Sequence, residues 1–499
     1  MAEPISIGRR VSELAARLGS ATAIEFVPET GPTVSLSWAL LDERSTQVAR
    51  LFAQRGVDES STVVVALPNV PEHVISVIAA WKLGACVVGL NPRLPTPERD
   101  GLLEITNPGL VVANWTDLDP PALGADALSA SLDLSAEPLP DRIPDPGYAI
   151  PSGGSTGRPK LIVKPVRLAY DLDEFPTGLV GRIGLREGQT QLVAAPLYHN
   201  LGFTLLVNGL VAAHRILLME RFDARRVLEL VQSERVQFLA LVPTMMQRIV
   251  RLDDVESYDL SSLETLYHSA SRCPAWVKRR MIELVGPEKV FEAFGATEGF
   301  GTTEIRGDEW LAHPGSVGRP VNCDLRIVGE DGEELPPGEV GEIYMRPHVQ
   351  TPTYSYIGAP LVKTTADGFA SAGDLGHVDA DGYLYPADRR LDLIISGGSN
   401  VYPAEVEGAL VEHPLVADCV VIGVADEEWG ERVHALIQPA DPEDPPAVQE
   451  LDRHVRAHLV SYKAPKSYEF VERLPRNEAG KIRRSTIRAG AGERDPVDG

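Results

Sequence analysis

A chain of 499 residues, 43% hydrophobic and 24% charged, has an ordinary globular composition and is too long for one hydrophobic core, so two or more domains are expected. With 71 acidic against 47 basic residues its net charge is −24. That excludes a broad nucleic-acid footprint and requires any small anion to be held by a local positive site. The four scattered cysteines, Cys86, Cys273, Cys323 and Cys419, form no Cys-x-x-Cys pair, which excludes a zinc ribbon and a disulfide scaffold.

Residues 8–19 have helical apolar spacing and stop on a glycine. Residues 33–38 alternate as a strand, residues 42–55 form an amphipathic helix ended by Gly56, and residues 61–67 form a buried strand closed by Pro68 and Asn69. A helix over 72–83, a strand over 86–90 and a short strand over 110–113 follow, an order that predicts a parallel sheet with crossovers. Residues 116–147 are rich in Pro, Asp, Ala and Leu and predict loop and surface structure. Strands are expected over 191–196, 215–219, 238–242, 265–269 and 290–294, with a helix starting near 197–203 and another over 224–233. In open α/β sheets ligands sit outside strand C-ends. Here those ends carry small polar clusters, Ser269 to Pro274 and Gly295 to Gly299.

Beyond about residue 315 the segments shorten, and 318–344 and 373–385 predict β-meanders. A last segment holds a helix over 404–410, strands over 416–424 and 433–438, and a helix over 448–459. The N-terminus lacks the basic-then-apolar pattern of a signal peptide, and the longest apolar run, 201–219, is interrupted by Asn208, His214 and Arg215. A cytoplasmic location without a membrane partner is therefore expected.

One stretch stands out chemically. Pro151-Ser-Gly-Gly-Ser-Thr-Gly-Arg-Pro-Lys160 combines three glycines, three hydroxyls and two cations in ten residues, and a further lysine, Lys164, follows. Glycines let backbone N–H groups turn towards an anion, hydroxyls add donors, and the cations add charge. The composition suits a loop that grips phosphates, although neither a Walker A nor a Gly-x-Gly-x-x-Gly pattern is present.

Five stretches taken together resemble the adenylate-forming superfamily of acyl-CoA synthetases, amide bond synthetases and adenylation domains. They are Ser152 to Lys160, Pro196-Leu-Tyr-His-Asn200, Phe294-Gly-Ala-Thr-Glu298, Gly373-Asp374 with Asp381-Gly-Tyr383 and Asp388-Arg389, and Pro475 to Lys481. The loop's Gly153 and Leu161, where serine and glycine are usual, are similar to a branch with bile-acid-type ligases. The resemblance implies an α/β fold, with a large N-terminal domain of parallel-rich sheets and helices plus a β-rich subdomain. A small mobile α+β C-terminal domain completes it. The implied boundaries are 1–391, 392–485 and a flexible tail, 486–499. The implied reaction joins a carboxylic acid to ATP as an acyl-adenylate with release of pyrophosphate. The acyl group then passes to an acceptor, most often coenzyme A. An amine and a carrier protein supplied in trans are alternatives, and a monomer or homodimer is expected.

Residue by residue, the resemblance implies that Ser152, Gly153, Gly154, Ser155, Thr156, Gly157 and Lys160 hold the β- and γ-phosphates. Glu298, beside Thr297, would hold Mg²⁺. Ser269, Ala270, Ser271, Phe294, Gly295 and Ala296 would border the adenine. Asp374 and Arg389 would take the ribose, and Lys481 would reach the carboxylate and α-phosphate during adenylation. With His199 at the acyl pocket, Lys481, Glu298 and Thr297 make the expected catalytic set. The pocket wall is expected from Tyr198, His199, Asn200, Gly202, Phe203, Pro243 and His268, whose flat and aromatic groups favour an aryl or polycyclic acid. Gly397 and Gly398 would line the pantetheine channel, and Asp392 would be the hinge.

Overall fold

The structure is a computed structural model that describes residues 4–153, 159–164, 168–170, 179–348, 354–358, 361–362, 364–389, 392–426 and 428–476, together with 482, 484, 487–488 and 497–498. The chain opens with α1 (Ile7–Leu18), β1 (Thr22–Val27), β2 (Val34–Ser37), α2 (Trp38–Gln54), β3 (Thr62–Ala66), α3 (Pro71–Lys82), β4 (Cys86–Gly89), α4 (Thr96–Thr106) and β5 (Leu110–Ala113). Caps set these helices. The Ser6 hydroxyl accepts the N–H of Arg9 at the start of α1, Ser37 accepts that of Leu40 at the start of α2, and α3 and α4 begin on proline. Ser37 moves the start of α2 four residues ahead of Asp42, and α4 had no counterpart in the sequence reading.

Next come β6 (Tyr148–Gly153), β7 (Pro159–Val163), β8 (Thr190–Val193), α5 (Asn200–Val211), β9 (Arg215–Met219), α6 (Ala224–Glu234), β10 (Phe238–Leu241), α7 (Pro243–Val250), β11 (Thr265–His268), α8 (Ala275–Val285), β12 (Val290–Gly295), β13 (Thr302–Arg306) and β14 (Arg319–Pro320). The expected loop 151–160 is corrected at both ends. Pro151 to Gly153 and Pro159 to Lys160 are strand residues, paired antiparallel with Gly153 opposite Pro159. Only the tip, 154–158, lies between strands, outside the described residues.

Two sheets form the large body. The nine-stranded sheet runs β14-β13-β12-β11-β10-β8-β9-β1-β2, parallel from β12 to β1 and antiparallel at both edges. The six-stranded sheet runs β17-β7-β6-β4-β3-β5, where β17 is Ser355–Ile357. The largest apolar core fills the space between them, with Val11, Trp38, Phe52, Trp81, Phe203 and Leu210 from α1, α2, α3 and α5. A second core, with Met246, Met281 and Trp310, backs the nine-stranded sheet under α6, α7 and α8. Burial on both faces explains why the parallel strands read as continuous apolar runs in place of alternation.

The meander regions form one antiparallel sheet of β15 (Cys323–Val328), β16 (Gly341–Pro347), β18 (Asp374–Val378) and β19 (Leu384–Arg389). A smaller lobe follows, with its own core around Val406, Val421 and Tyr468. It contains β20 (Ile394–Ser396), β21 (Ser399–Val401), α9 (Pro403–Val411), β22 (Val416–Asp426), β23 (Gly430–Pro439), α10 (Val448–His458) and β24 (Ser467–Phe470). The lobe docks on α7. Gln247 donates to the carbonyl of Ala417 at 3.0 Å, and Arg251 donates to the carbonyls of Ala417 and Val416 at 2.8 Å each. No helix among the described residues is long and apolar enough to cross a membrane.

Candidate active site

The parallel strands end along one edge, and the loops that leave those ends are held in place by buried polar groups. Asn69, buried after β3, donates to the carbonyls of Ala195 and Met219 at 3.1 Å, and its oxygen accepts the N–H of Leu197 at 2.9 Å. This clamp fixes the turn that carries Tyr198 and His199. Gly89 lets the two sheets meet there, since an added Cβ would lie 3.2 Å from Tyr198 Cα. His199 is the N-cap residue of α5, and Asn200 opens the helix, its Oδ1 accepting from Thr204 at 3.1 Å.

The strand ends β11 and β12 are tied to each other. The Ser269 hydroxyl donates to the carbonyl of Ala293 at 2.7 Å. Ala270 has φ 80°, a left-handed conformation that is costly for a residue with a side chain and that turns this loop sharply. Gly295 admits no side chain, because a Cβ would lie 2.8 Å from the carbonyl oxygen of Gly301. Arg272 donates to the carbonyl of Ala387 at 3.3 Å, which joins this loop to β19. On that sheet Asp374 and Arg389 are direct cross-strand partners.

Beyond Gly295 lies the charged centre. Lys160 Nζ is 3.9 Å from Glu298 Oε1 and 3.9 Å from the centre of the Tyr356 ring. The Tyr356 hydroxyl donates to Glu298 Oε1, and the Lys164 ammonium donates to the carbonyl of Thr297. Burial pushes Lys164 down to about 8, with Glu298 opposing the shift, and burial together with the Glu298 hydrogen bond pushes Tyr356 up. Lys160 and Glu298 keep 21% and 12% of their side-chain surface, so the cluster is reachable from outside. Two cations and a phenol around one carboxylate suit an anionic ligand. Among the described residues there is no group of three or more His, Cys, Asp or Glu that could cage a metal. A lone carboxylate fits a magnesium ion that takes its remaining ligands from phosphate oxygens and water.

The fold therefore brings Lys160, Thr297 and Glu298 together, with Ser269, Ala270, Ser271, Phe294, Gly295 and Ala296 on the adjoining strand ends. It also recruits Lys164, Tyr356 and Asn69, which the expected site lacked. Three expected wall residues are buried, and one of them, Phe203, lines a small cavity with Gly89, Tyr198 and His199. His268 has no exposed surface, and its Nε2 lies 3.9 Å from Glu292 Oε2. Phe203 packs on Trp81 and Tyr148 with ring centres 5.7 and 5.3 Å away, and Pro243 is the buried first residue of α7. Gly202 is required by packing, since a Cβ would meet the Pro196 carbonyl oxygen at 2.5 Å.

In the small lobe, Gly397 and Gly398 form the turn between β20 and β21 with φ 56° and 78°. An added Cβ on Gly397 would lie 2.8 Å from the Trp429 ring. Asp392 accepts from Arg484 at 3.0 Å, and Arg484 also pairs with Glu407 at 2.7 Å. Lys481 and Gly154 to Gly157 lie outside the described residues, as do the side chains of Ser152, Gly153 and Arg389.

Residues 11–355 match the family model of the AMP-binding enzymes, and residues 405–481 match that of the AMP-binding enzyme C-terminal domain. The chain belongs to the AMP-binding enzyme family. It is an adenylate-forming ligase with the two-part α/β architecture of that superfamily. A feruloyl-CoA synthase of an Amycolatopsis species is 35% identical over 480 residues, which cover 91% of this chain and 94% of that one. The o-succinylbenzoate CoA synthetase of Bacillus subtilis, solved with its acyl-adenylate OSB-AMP, superposes with a TM-score of 0.82 at 26% identity, covering 98% of each chain. The amide bond synthetase McbA of Marinactinospora thermotolerans superposes at 0.76 with 25% identity, covering 97% of this chain and 99% of that one.

Proposed function

We propose that this enzyme activates an aromatic carboxylic acid with ATP and transfers the acyl group to coenzyme A. The acid's carboxylate attacks the α-phosphorus and pyrophosphate leaves. The coenzyme A sulfur then attacks the acyl carbon and AMP leaves. The observation that carries this reading is the pairing of Lys160, Lys164 and Tyr356 with Glu298 and Thr297 at the mouth of the β6–β7 hairpin. It is a positive, partly open site at the strand ends, where a polyphosphate finds cations and donors.

In this reading the hairpin tip, with Ser152 to Gly157 and Lys160, binds the β- and γ-phosphates. Glu298 holds a magnesium ion, which neutralises phosphate charge. Ser269, Ala270, Ser271 and Phe294 border the adenine, Asp374 accepts from the ribose hydroxyls, and Arg389 donates to the ribose. Lys481 closes on the carboxylate and α-phosphate, and stabilises charge that spreads over the phosphoryl oxygens as the acid attacks. His199, with Tyr198 and Asn200, faces the acyl group. The Gly397–Gly398 turn lines the pantetheine channel when the lobe 392–485 rotates about Asp392 against 1–391, and 486–499 is a tail. The aromatic preference is supported by Tyr198 and His199 and by the feruloyl and o-succinylbenzoate ligases among the relatives.

The likeness to an amide bond synthetase supports one other acceptor, an amine attacking the same adenylate. The test is incubation with ATP, Mg²⁺ and a panel of aryl acids, followed by coenzyme A or an amine. Acid-dependent pyrophosphate release and then a thioester are expected. Amide without thioester would replace coenzyme A by an amine, and no acid-dependent pyrophosphate with any acid would refute the activity.

A further inference from the structure

The nine-stranded sheet carries a second polar group, away from the phosphate end, that none of the roles above uses. Register decides which way it points. Tyr267 on β11 lies beside Ala240 on β10 and beside Phe291 on β12, and Glu304 on β13 lies opposite Ala293 on β12. Paired residues share a face and alternate residues along a strand return to it. Ala240, Tyr267, Ala293, Gly295 and Glu304 therefore face the same way. Tyr267 packs against the cluster of Leu205 and Phe238, so this is the face that α5 covers. Between α5 and the sheet is a small apolar cavity lined by Val193, Ala195, Leu201, Gly202, Leu205 and Ala240, behind His199 and Asn200.

Glu304 stands at the far side of this face. Its side chain is 15% exposed, and its Oε1 is buried with no hydrogen-bond partner among the described residues. Arg182 Nε stands 3.5 Å from the other oxygen. Two residues on, Gly184 sits directly over Thr265, where an added Cβ would lie 2.3 Å from the threonine Oγ1. Burial pushes the Glu304 carboxyl up, and Arg182 opposes the shift. Tyr267 stands on the same face, but no hydrogen bond among the described residues joins its hydroxyl to the buried Glu304 oxygen. From Thr297 the face runs over Gly295, with no side chain, and then Ala293, with only a methyl, before it reaches Glu304. No side chain larger than a methyl stands on β12 along that path, and a buried acceptor lies at its end.

We propose that Glu304 is the far wall of the acyl pocket and that the acid carries a hydrogen-bond donor, a hydroxyl or an amine, on its ring remote from the carboxylate. The inference rests on the adenylation reading above. A site built around a buried acceptor rejects a ligand without the matching donor far more strongly than an apolar wall rejects a change of size.

The test uses the full-length enzyme with ATP, Mg²⁺ and matched aryl acids that differ only in a distal hydroxyl, amine, methyl or hydrogen, and it reads kcat/KM for pyrophosphate release. The wild type is expected to favour the donor-bearing acid over its methyl analogue by about tenfold or more. Glu304→Leu is expected to bring that ratio to about one or to invert it. The ratio does not depend on the fraction of enzyme folded, and Glu304→Gln, which keeps the shape, is expected to lower it in between. A wild-type ratio near one, or a ratio that Glu304→Leu leaves unmoved, overturns the subsite alone. Release with aliphatic acids and with none of the aryl acids overturns the aromatic reading and the subsite with it.

Discussion

Strand β12 and the loop that continues it carry two lysine–glutamate clusters six residues apart, and they are built differently. Glu292 is paired with Lys278 of α8, both almost without exposed surface, with His268 alongside and the Trp310 ring 5.1 Å from the ammonium. Glu298 faces Lys160 and the Tyr356 hydroxyl, with Lys164 on the adjoining carbonyl, and the cluster keeps an accessible edge. In the first, one cation answers one anion and the walls are closed. In the second, cations outnumber the anion and the mouth is open. Burial of a charge pair alone does not mark a ligand site. An excess of one sign at a reachable strand end does.

Removing one partner from the closed pair should have the largest effect. Lys278→Met leaves Glu292 buried without a counter-charge, and is expected to lower unfolding free energy by about 3–5 kcal/mol in denaturant titrations at pH 7. Turnover per folded molecule should stay within about twofold, since surface and core changes away from the site act through folding. Lost turnover at unchanged stability would erase the distinction between the clusters.

Next is Lys481, proposed to act on the carboxylate and the α-phosphate during adenylation. Lys481→Ala should slow pyrophosphate release by about 10²–10³-fold while sparing acyl transfer from a supplied adenylate. Equal loss of both steps would show that this lysine is not confined to the first. Glu298→Gln should cost about 10²-fold in the same assay. Its loss should ease as Mg²⁺ is raised, and a melting temperature close to wild type would confirm that this carboxylate is not structural.

The smallest effect near neutral pH belongs to His268. Burial holds it down at about 4 in the folded protein, whereas an exposed histidine titrates near 6.5. The unfolded chain therefore binds the proton first, and stability falls as pH drops from about 6.5 towards 4. His268→Phe should make that slope shallower by about one proton in denaturant midpoints measured across this range. An unchanged slope would mean that the ring is charged inside the closed cluster, beside Glu292.

Much of the architecture was legible because strand ends are punctuated. Pro68-Asn69, Pro196, Pro243 and the glycine after Phe294 mark where buried apolar runs stop, and those stops are the site. The hairpin around 151–160 looked like one loop because glycine and proline mask strand character, and only pairing with β4 and β17 reveals it. Helix α8 was missed because a lysine, Lys278, stands on its buried face among Val277, Met281 and Ile282. Lys164, Tyr356 and Asn69 could not be assigned from spacing, since they meet partners 133, 58 and at least 126 positions away. Asn69 did leave a trace, as a strand-closing asparagine with no turn glycine beside it. His268 is buried beside Glu292 although its neighbour Ser269 reaches the strand end, because one residue of register separates core from loop.

The grip of α7 on the small lobe is made to the main-chain oxygens of residues 416 and 417. Every amino acid except in its side chain presents that oxygen identically, so the latch tolerates drift in the residues it holds. Three such bonds, each worth roughly 0.5–3 kcal/mol net because water can replace them, make a fastening that can be undone thermally and remade without wear. The Trp276 ring of α8 packs against the lobe's core beside this latch, so the fastening joins a few polar bonds to one apolar contact.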